Sequence, residues 1–76
     1  MDVIEGLGKP IDVDVTGTRA WIVSFRDNLV SVVDVDSFQI LAQGRAGHGA
    51  TAIAAHGREA WVANHEGYSL THLKLP

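Results

Sequence analysis

The sequence repeats itself at a spacing of forty residues. The segment GTRAWIVSF, which begins at Gly17, has a counterpart in GREAWVANH, which begins at Gly57. In both segments a glycine, an alanine and a tryptophan occupy equivalent positions, and a β-branched residue follows the tryptophan. Shifting the chain by forty aligns residues 10–36 with residues 50–76 without a gap. A repeat of this length predicts two copies of one supersecondary unit that stack to bury their apolar faces.

The apolar residues of both copies recur mostly at every second position, which is the period of a β-strand. Runs of glycine, asparagine, aspartate and serine separate them and favour turns. Helix signals are poor, and the alanine-rich residues 49–61 align with a part of the first copy that has a strand pattern. Seven strands are therefore predicted: Ile11–Val15, Arg19–Phe25, Leu29–Val35, Phe38–Gln43, Thr51–Ala55, Glu59–Asn64 and Ser69–Leu75.

Four-stranded antiparallel meanders at such a period are the blades of β-propellers. The sequence also resembles the YVTN-type (WD40-like) propeller repeat. That repeat begins with Pro-x-x-Val-x-Val and a turn that contains glycine. An aromatic residue followed by Val-Ala-Asn comes next, and Thr-Val-Ser-Val-Ile-Asp ends the pattern. The first copy matches at Pro10, Val13, Val15, Gly17, residues 21–24 (WIVS) and residues 29–34 (LVSVVD). The second copy matches at Ile53, Gly57, residues 61–64 (WVAN) and residues 69–71 (SLT). It departs from the pattern at Ala50, His72 and Lys74.

The predicted fold class is all-β, with two four-stranded β-propeller blades. Residues 10–49 are expected to form the first blade and residues 50–76 a second blade without its outer strand. Residues 1–9, with the apolar stretch Asp2–Gly6, are expected to supply a strand that completes another blade. Closed propellers have roughly 4–8 blades, so two blades cannot close a ring. We therefore expect a homo-oligomer of about three or four copies, or neighbouring blades in a longer chain.

The resemblance implies a non-catalytic repeat module, a scaffold or binding surface that self-assembles into a ring. Some relatives of YVTN-type propellers are lactonase-like or hold a metal or haem with loop histidines, so a propeller with such a site near the ring axis is the alternative. The sequence has no Gly-x-Ser-x-Gly elbow and no phosphate-binding glycine loop, which favours the module over an enzyme.

The composition and net charge limit the classes of metal site and partner that this chain can have. With no cysteine, disulfides and thiolate metal sites are excluded. The net charge of −3 argues against nucleic acid and anionic membranes as partners. No apolar run has the length needed to cross a bilayer. YVTN-type relatives tend to be periplasmic or extracellular, yet the first residues lack the pattern of a secretory signal, so the sequence leaves the compartment open.

The four histidines all lie in the second half of the chain. His48 and His65 are predicted in loops on one face of the blades, with His48 nearest the ring axis. A ring would repeat His48 around that axis, where imidazoles could hold Zn²⁺ or Cu²⁺. His56 is predicted on the opposite face and His72 within a strand. The competing interpretation is that no cofactor binds and that His48 and His65 are solvated loop residues.

The loops on this face form the candidate binding surface. Its predicted members are Lys9, Arg26, Asp27, Asn28, His48, His65, Glu66 and Tyr68. Asp12 and Asp14 alternate with apolar residues on the innermost strand, and we expect them to bond water or backbone N–H groups, with a cation-attracting channel lining as the alternative. Trp21 and Trp61 occupy equivalent positions, which predicts packing between blades, with ligand stacking as the alternative.

Overall fold

The computed structural model describes residues 10–24 and 28–75, which form seven β-strands. In chain order the strands are β1 (Pro10–Thr16), β2 (Arg19–Ser24), β3 (Leu29–Asp34), β4 (Ile40–Arg45), β5 (Ala50–His56), β6 (Glu59–Asn64) and β7 (Ser69–Lys74). The all-β class is confirmed, since the described residues contain no helix. Each predicted strand is present, although Phe25, the predicted end of the second, lies outside the described residues.

The strands form two antiparallel meanders. Strands β1 to β4 pair in sequence order as a four-stranded sheet, and β5 to β7 pair in the same way as a three-stranded sheet. We call these the first and second sheets. The register shifts between Pro10 and Asp12 in β1 and, forty residues later, between Ala50 and Ala52 in β5. The repeat therefore extends from the sequence to a local irregularity of the backbone.

The connection between β3 and β4 is longer than the sequence predicts. The sequence predicts a strand from Phe38, but β4 begins at Ile40. The Oδ1 atom of Asp34 accepts hydrogen bonds from the N–H groups of Asp36 at 2.8 Å and Ser37 at 3.3 Å. The N–H of Phe38 donates to the carbonyl of Asp34 at 2.8 Å, and Phe38 has φ 61°. This left-handed conformation is incompatible with a strand, so the turn delays β4.

An apolar core lies between the two sheets. Its buried members are Trp21, Val23, Val30 and Val32 from the first sheet and Ala50, Ile53, Ala60 and Val62 from the second. Side chains alternate between the faces of a strand, so the strand registers place the β2 and β3 members on one face of the first sheet. They likewise place Ile53, Ala60 and Val62 on one face of the second. Each sheet thus contributes one face to the shared core.

Equivalent faces of the two sheets point in the same direction. Trp21 is 1% exposed in the core, whereas Trp61, its counterpart, is 46% exposed on the side of the second sheet that faces away from the first. The reverse holds for the other face, because Ile53 is 7% exposed but its counterpart Val13 is 55% exposed. The sheets are therefore stacked head to tail. The outward side of the second sheet exposes Trp61, whereas the outward side of the first exposes its β1 side chains and buries Ile22 and Val33 of β2 and β3.

Candidate functional site

Three side chains of β1 accept hydrogen bonds from the backbone of β5 and of Gly57, the residue that follows it. The contacts are Asp12 Oδ2 with Ile53 N at 2.9 Å, Asp14 Oδ2 with Ala55 N at 2.6 Å and Thr16 Oγ1 with Gly57 N at 3.1 Å. We call Asp12, Asp14 and Thr16 the side-chain ladder. Successive acceptors meet successive donors in the same chain direction, so β1 and β5 run parallel, side by side. The expectation that Asp12 and Asp14 bond backbone N–H groups is confirmed.

The ladder gives hydrogen-bond partners to one edge of the second sheet. β5 pairs with β6 on one side only, so alternate N–H groups on its other side point away from the sheet. Carboxylate and hydroxyl oxygens accept these N–H groups, so the edge is satisfied without backbone pairing and the two sheets stay separate. The other oxygen of Asp14, Oδ1, accepts the N–H of Val15 at 3.0 Å. Both oxygens of this carboxylate are therefore held in place.

The second copy of the repeat does not carry an equivalent ladder. Forty residues after Asp12 and Asp14 stand Ala52 and Ala54, and His56 follows at the third position. Alanine has no hydrogen-bond acceptor in its side chain. The ladder is therefore specific to the junction between the first and second sheets.

Asn28 forms hydrogen bonds with the linker between β4 and β5 and with the first residue of β5. The N–H of Ala46 donates to the Asn28 carbonyl at 2.7 Å, and Asn28 Oδ1 accepts from the N–H groups of Gly49 at 3.1 Å and Ala50 at 3.4 Å. Asn28 has φ 51°, in the left-handed region that asparagine tolerates better than most residues. A single residue just before β3 thus holds the linker, residues 46–49, that leads into the second sheet.

The linker and the β6–β7 turn form one continuous surface. The N–H of His65 donates to the Gly49 carbonyl at 2.9 Å, and the N–H of Gly67 donates to the His48 carbonyl at 3.1 Å. His48 Nε2 lies 2.7 Å from Glu66 Oε2, and both side chains are well exposed. An exposed pair of this kind adds little to stability, so it remains available for contacts with other molecules. We call Asn28, His48, Gly49, His65, Glu66, Gly67 and Tyr68 the loop face.

Gly49 lies where the linker approaches the turn most closely. Its φ is +73°, and a Cβ atom there would lie 2.6 Å from the Cβ of Glu66 and 2.7 Å from the Glu66 backbone nitrogen. No real Cβ atom makes contacts this short, so a larger residue would push the linker away from the turn. The contact between these two segments therefore depends on glycine.

Replacing Gly49 with alanine is expected to lower the free energy of unfolding by about 1 kcal/mol more than the same change at Gly57. Both positions have a positive φ, but nothing lies within 4 Å of a Cβ built at Gly57. The Gly57 variant thus measures the backbone strain alone, and the difference measures the clash with Glu66. Urea denaturation of both variants provides the comparison, and equal losses would show that the close approach has no energetic weight.

Asn64, at the end of β6, holds the β6–β7 turn through its side-chain hydrogen bonds. Its Nδ2 donates to Ser69 Oγ at 3.2 Å and to Thr71 Oγ1 at 2.7 Å, and the N–H of Gly47 donates to the same Thr71 oxygen at 3.2 Å. The Asn64 side chain is buried, and its Oδ1 has no partner among the described residues. This network orders the backbone that carries the exposed side chains.

The histidines divide between the two ends of the sheets and one strand. His48 and His65 lie on the loop face, as predicted, His56 ends β5 at the opposite end, and His72 lies in β7. Across residues 10–24 and 28–75, no group of three or more histidine, aspartate or glutamate side chains is arranged to hold a metal ion. A metal site at His48 and His65 stays a prediction.

Five of the eight residues predicted on the binding surface belong to the loop face. They are Asn28, His48, His65, Glu66 and Tyr68, and Tyr68 is 94% exposed with φ 49°. The other three, Lys9, Arg26 and Asp27, lie outside the described residues. Binding by this surface stays a prediction.

Sequence reasoning missed Thr16, Gly49 and Asn64. Thr16 follows Asp14 at the same spacing at which Asp14 follows Asp12, so three acceptors in alternate positions were a usable signal. Gly49 and Asn64 gave no such signal, because their contacts depend on how separate turns pack together.

No model of a known protein family matches the chain, and no curated protein is significantly similar to it. In the part of the chain that the structure describes, no helix is long and apolar enough to cross a membrane. Function is therefore inferred from the stacking of the sheets and from the loop face.

Proposed function

We propose that this chain is a non-catalytic β-propeller repeat module of the YVTN type, a pair of blades that acts as a scaffold and presents the loop face for binding. The observation that carries the proposal is the head-to-tail stacking of the sheets. In a propeller, equivalent faces of all the blades are turned in the same direction around the axis. In a two-sheet sandwich, by contrast, the inner faces of both sheets are buried against each other and no third sheet is needed.

The side-chain ladder supports the same proposal. It aligns β1 and β5, the first strands of the two meanders, in parallel. First strands that lie side by side match an arrangement in which each blade starts at the axis and runs outward. The outer strands are then free to diverge, and an apolar cleft lined by Trp21, Ala42 and Leu73 separates the sheets on that side.

The loop face suits a binding role because its backbone is held while its side chains are exposed. Asn28 and Asn64 fix the linker and the turn through buried or half-buried hydrogen bonds. Tyr68, His48 and Glu66 project from this support as a phenol ring, an imidazole and a carboxyl group. Loops positioned by a rigid scaffold commonly carry binding residues, and the ligand proposed here is a protein, a peptide or a small molecule.

In this proposal a further blade covers the exposed apolar side chains at each end of the stack. The covering blades come from other copies of the chain or from a longer chain. β7 is paired on one side only among the described strands, whereas the first sheet has a fourth strand at that position. The strand proposed to fill this place, Asp2–Gly6 of a neighbouring copy, lies outside the described residues.

The 76-residue protein is expected to form particles of about three or four times its 8.2 kDa mass. The reason is that a few hundred Å² of apolar surface left in water forfeits several kcal/mol, at about 25 cal/mol per Å². Sedimentation velocity over a range of protein concentrations measures the mass. A folded species that remains at 8.2 kDa at every concentration would contradict self-assembly.

A further inference from the structure

We propose that a second copy of this chain packs the exposed β1 side chains of its first sheet against the exposed side of the second sheet, with Trp61 as the anchor. This contact would reproduce between copies the junction that already exists within the chain. The inference rests on the proposed function and deepens it, because it names the two surfaces that meet and their polarity.

The first surface is the side of the second sheet that faces away from the core. Its apolar members, all exposed, are Ala52, Ala54, Trp61, Ala63 and Leu70. The Trp61 ring stacks on the His72 ring with centroids 4.2 Å apart, and His72 Nε2 lies 2.9 Å from Glu59 Oε1. These contacts hold the indole in one orientation, so little side-chain freedom is lost when a partner covers it. We call this surface the tryptophan face.

The second surface is the opposite end of the stack. Ile11, Val13 and Val15 alternate along β1 and are 51%, 55% and 57% exposed. In the second sheet the counterpart of Val13 is Ile53, which is buried in the core, and the counterpart of Val15 is Ala55, which packs against that core. We call this surface the valine face. It is limited to β1, because Ile22 and Val33 on the same side of the sheet are buried.

The junction within the chain shows that these two surfaces are complementary. There, Trp21 of the first sheet shares a core with Ile53 of the second. Between copies, Trp61 takes the place of Trp21 and Val13 takes the place of Ile53. An aromatic side chain again meets a β-branched one, so the contact continues an interface that the chain has already formed. Pairing two tryptophan faces would instead leave both valine faces in water.

The contact between copies lacks one part of the internal junction. Ala52 and Ala54 stand where the side-chain ladder has Asp12 and Asp14, so they offer no acceptor to the β1 edge of the neighbouring copy. We therefore expect the junction between copies to be weaker than the junction within the chain. Restoring the missing acceptors should strengthen it.

The double substitution Ala52→Asp and Ala54→Asp tests this directly. Both alanines are exposed, so the changes should lower the stability of the folded chain only slightly. The carboxylate at position 52 can accept the N–H of the neighbour's Val13, the counterpart of Ile53, whereas the N–H of Val15 already donates to Asp14 Oδ1. One charge-assisted hydrogen bond should lower the dissociation constant by about tenfold. The double variant Ser37→Asp and Gln39→Asp adds the same charge in an exposed turn away from both faces and should not tighten assembly.

A mixing experiment tests the polarity of the contact. Trp61→Asp inactivates the tryptophan face, and the double variant Val13→Asp and Val15→Asp inactivates the valine face. Each variant alone should remain at the monomer mass, because every head-to-tail contact needs one face of each kind. An equimolar mixture should form a heterodimer, because each variant retains the face that the other lacks. Tyr68→Asp, which changes an exposed residue of the loop face, should assemble as the wild type does.

The outcomes separate this inference from the proposed function. A wild-type protein that assembles, with a mass that neither face variant changes, would overturn the head-to-tail contact and leave self-assembly standing. Loss of assembly in the Trp61→Asp variant alone, with no heterodimer in the mixture, would indicate pairing of two tryptophan faces and would also overturn it. A folded wild type that never exceeds one chain would refute both. Circular dichroism of each variant establishes that the sheets are intact.

Discussion

Replacing Asp12 and Asp14 together with alanine should lower the free energy of unfolding by about 3 kcal/mol or more. Each carboxylate accepts a backbone N–H of β5, and hydrogen bonds to charged groups contribute about 1.5–3 kcal/mol each. Their removal leaves the N–H groups of Ile53 and Ala55 without acceptors at the junction of the two sheets. In a chain of 76 residues this loss is a large share of the total stability. Urea denaturation followed by circular dichroism measures it.

Two further variants separate the hydrogen bonds from the loss of negative charge. Changing Asp12 and Asp14 to asparagine keeps an oxygen acceptor of nearly the same size at each position, so we expect about half the loss. Asp36→Ala removes one carboxylate from an exposed turn and should leave the stability nearly unchanged. If the alanine double variant were no less stable than the Asp36 variant, the ladder would have no role in joining the sheets.

Replacing Trp21 with alanine should lower the free energy of unfolding by about 3–5 kcal/mol. Its side chain is 1% exposed and lies in the core between the sheets, so its removal leaves a cavity that the rigid strands around it cannot fill. The same denaturation experiment measures the loss. Because the total stability of a domain of this size is only modestly larger, the variant is expected to be partly unfolded at 25 °C.

The repeat provides a matched control for this prediction. Trp61 occupies the equivalent position but is half exposed, so Trp61→Ala should cost about 1 kcal/mol in dilute solution, where the tryptophan face is uncovered. Trp21→Phe is expected to be better tolerated than Trp21→Ala, because the ring remains and the buried Nε1, which has no hydrogen-bond partner among the described residues, is removed. Equal losses for the two alanine variants would contradict the assignment of the core.

The strands could be predicted from the sequence because their signals are local. Alternating apolar residues and short polar turns mark all seven strands, and the shift of forty residues indicates that the two meanders are equivalent. The turn before β4 was predicted less well. The length of this turn depends on the Asp34 side chain, which accepts hydrogen bonds from two later N–H groups. Such local bonding competes with the extended conformation that an apolar residue such as Phe38 favours.

The site was predictable only in part, because its contacts join distant segments. The sequence places His48, His65, Glu66 and Tyr68 in loops at the same end of the sheets, and that arrangement follows from strand order alone. It does not indicate that Asn28 reaches a linker twenty-one residues away, since a left-handed asparagine is also typical of an ordinary turn. Contacts of this kind depend on how two sheets pack, which no local pattern records.

Head-to-tail stacking also affects how such a chain lengthens. In the proposed head-to-tail assembly the two ends of the stack form opposite halves of one contact, so a tandem duplication of residues 10–49 would place the new unit against a surface that already fits it. No additional complementary patch has to arise by mutation, and the outermost faces stay the same after each duplication. In the propeller proposed here, growth by whole repeats leaves the packing unchanged until the ring closes, so curvature limits the number of units and the chemistry of any one interface does not.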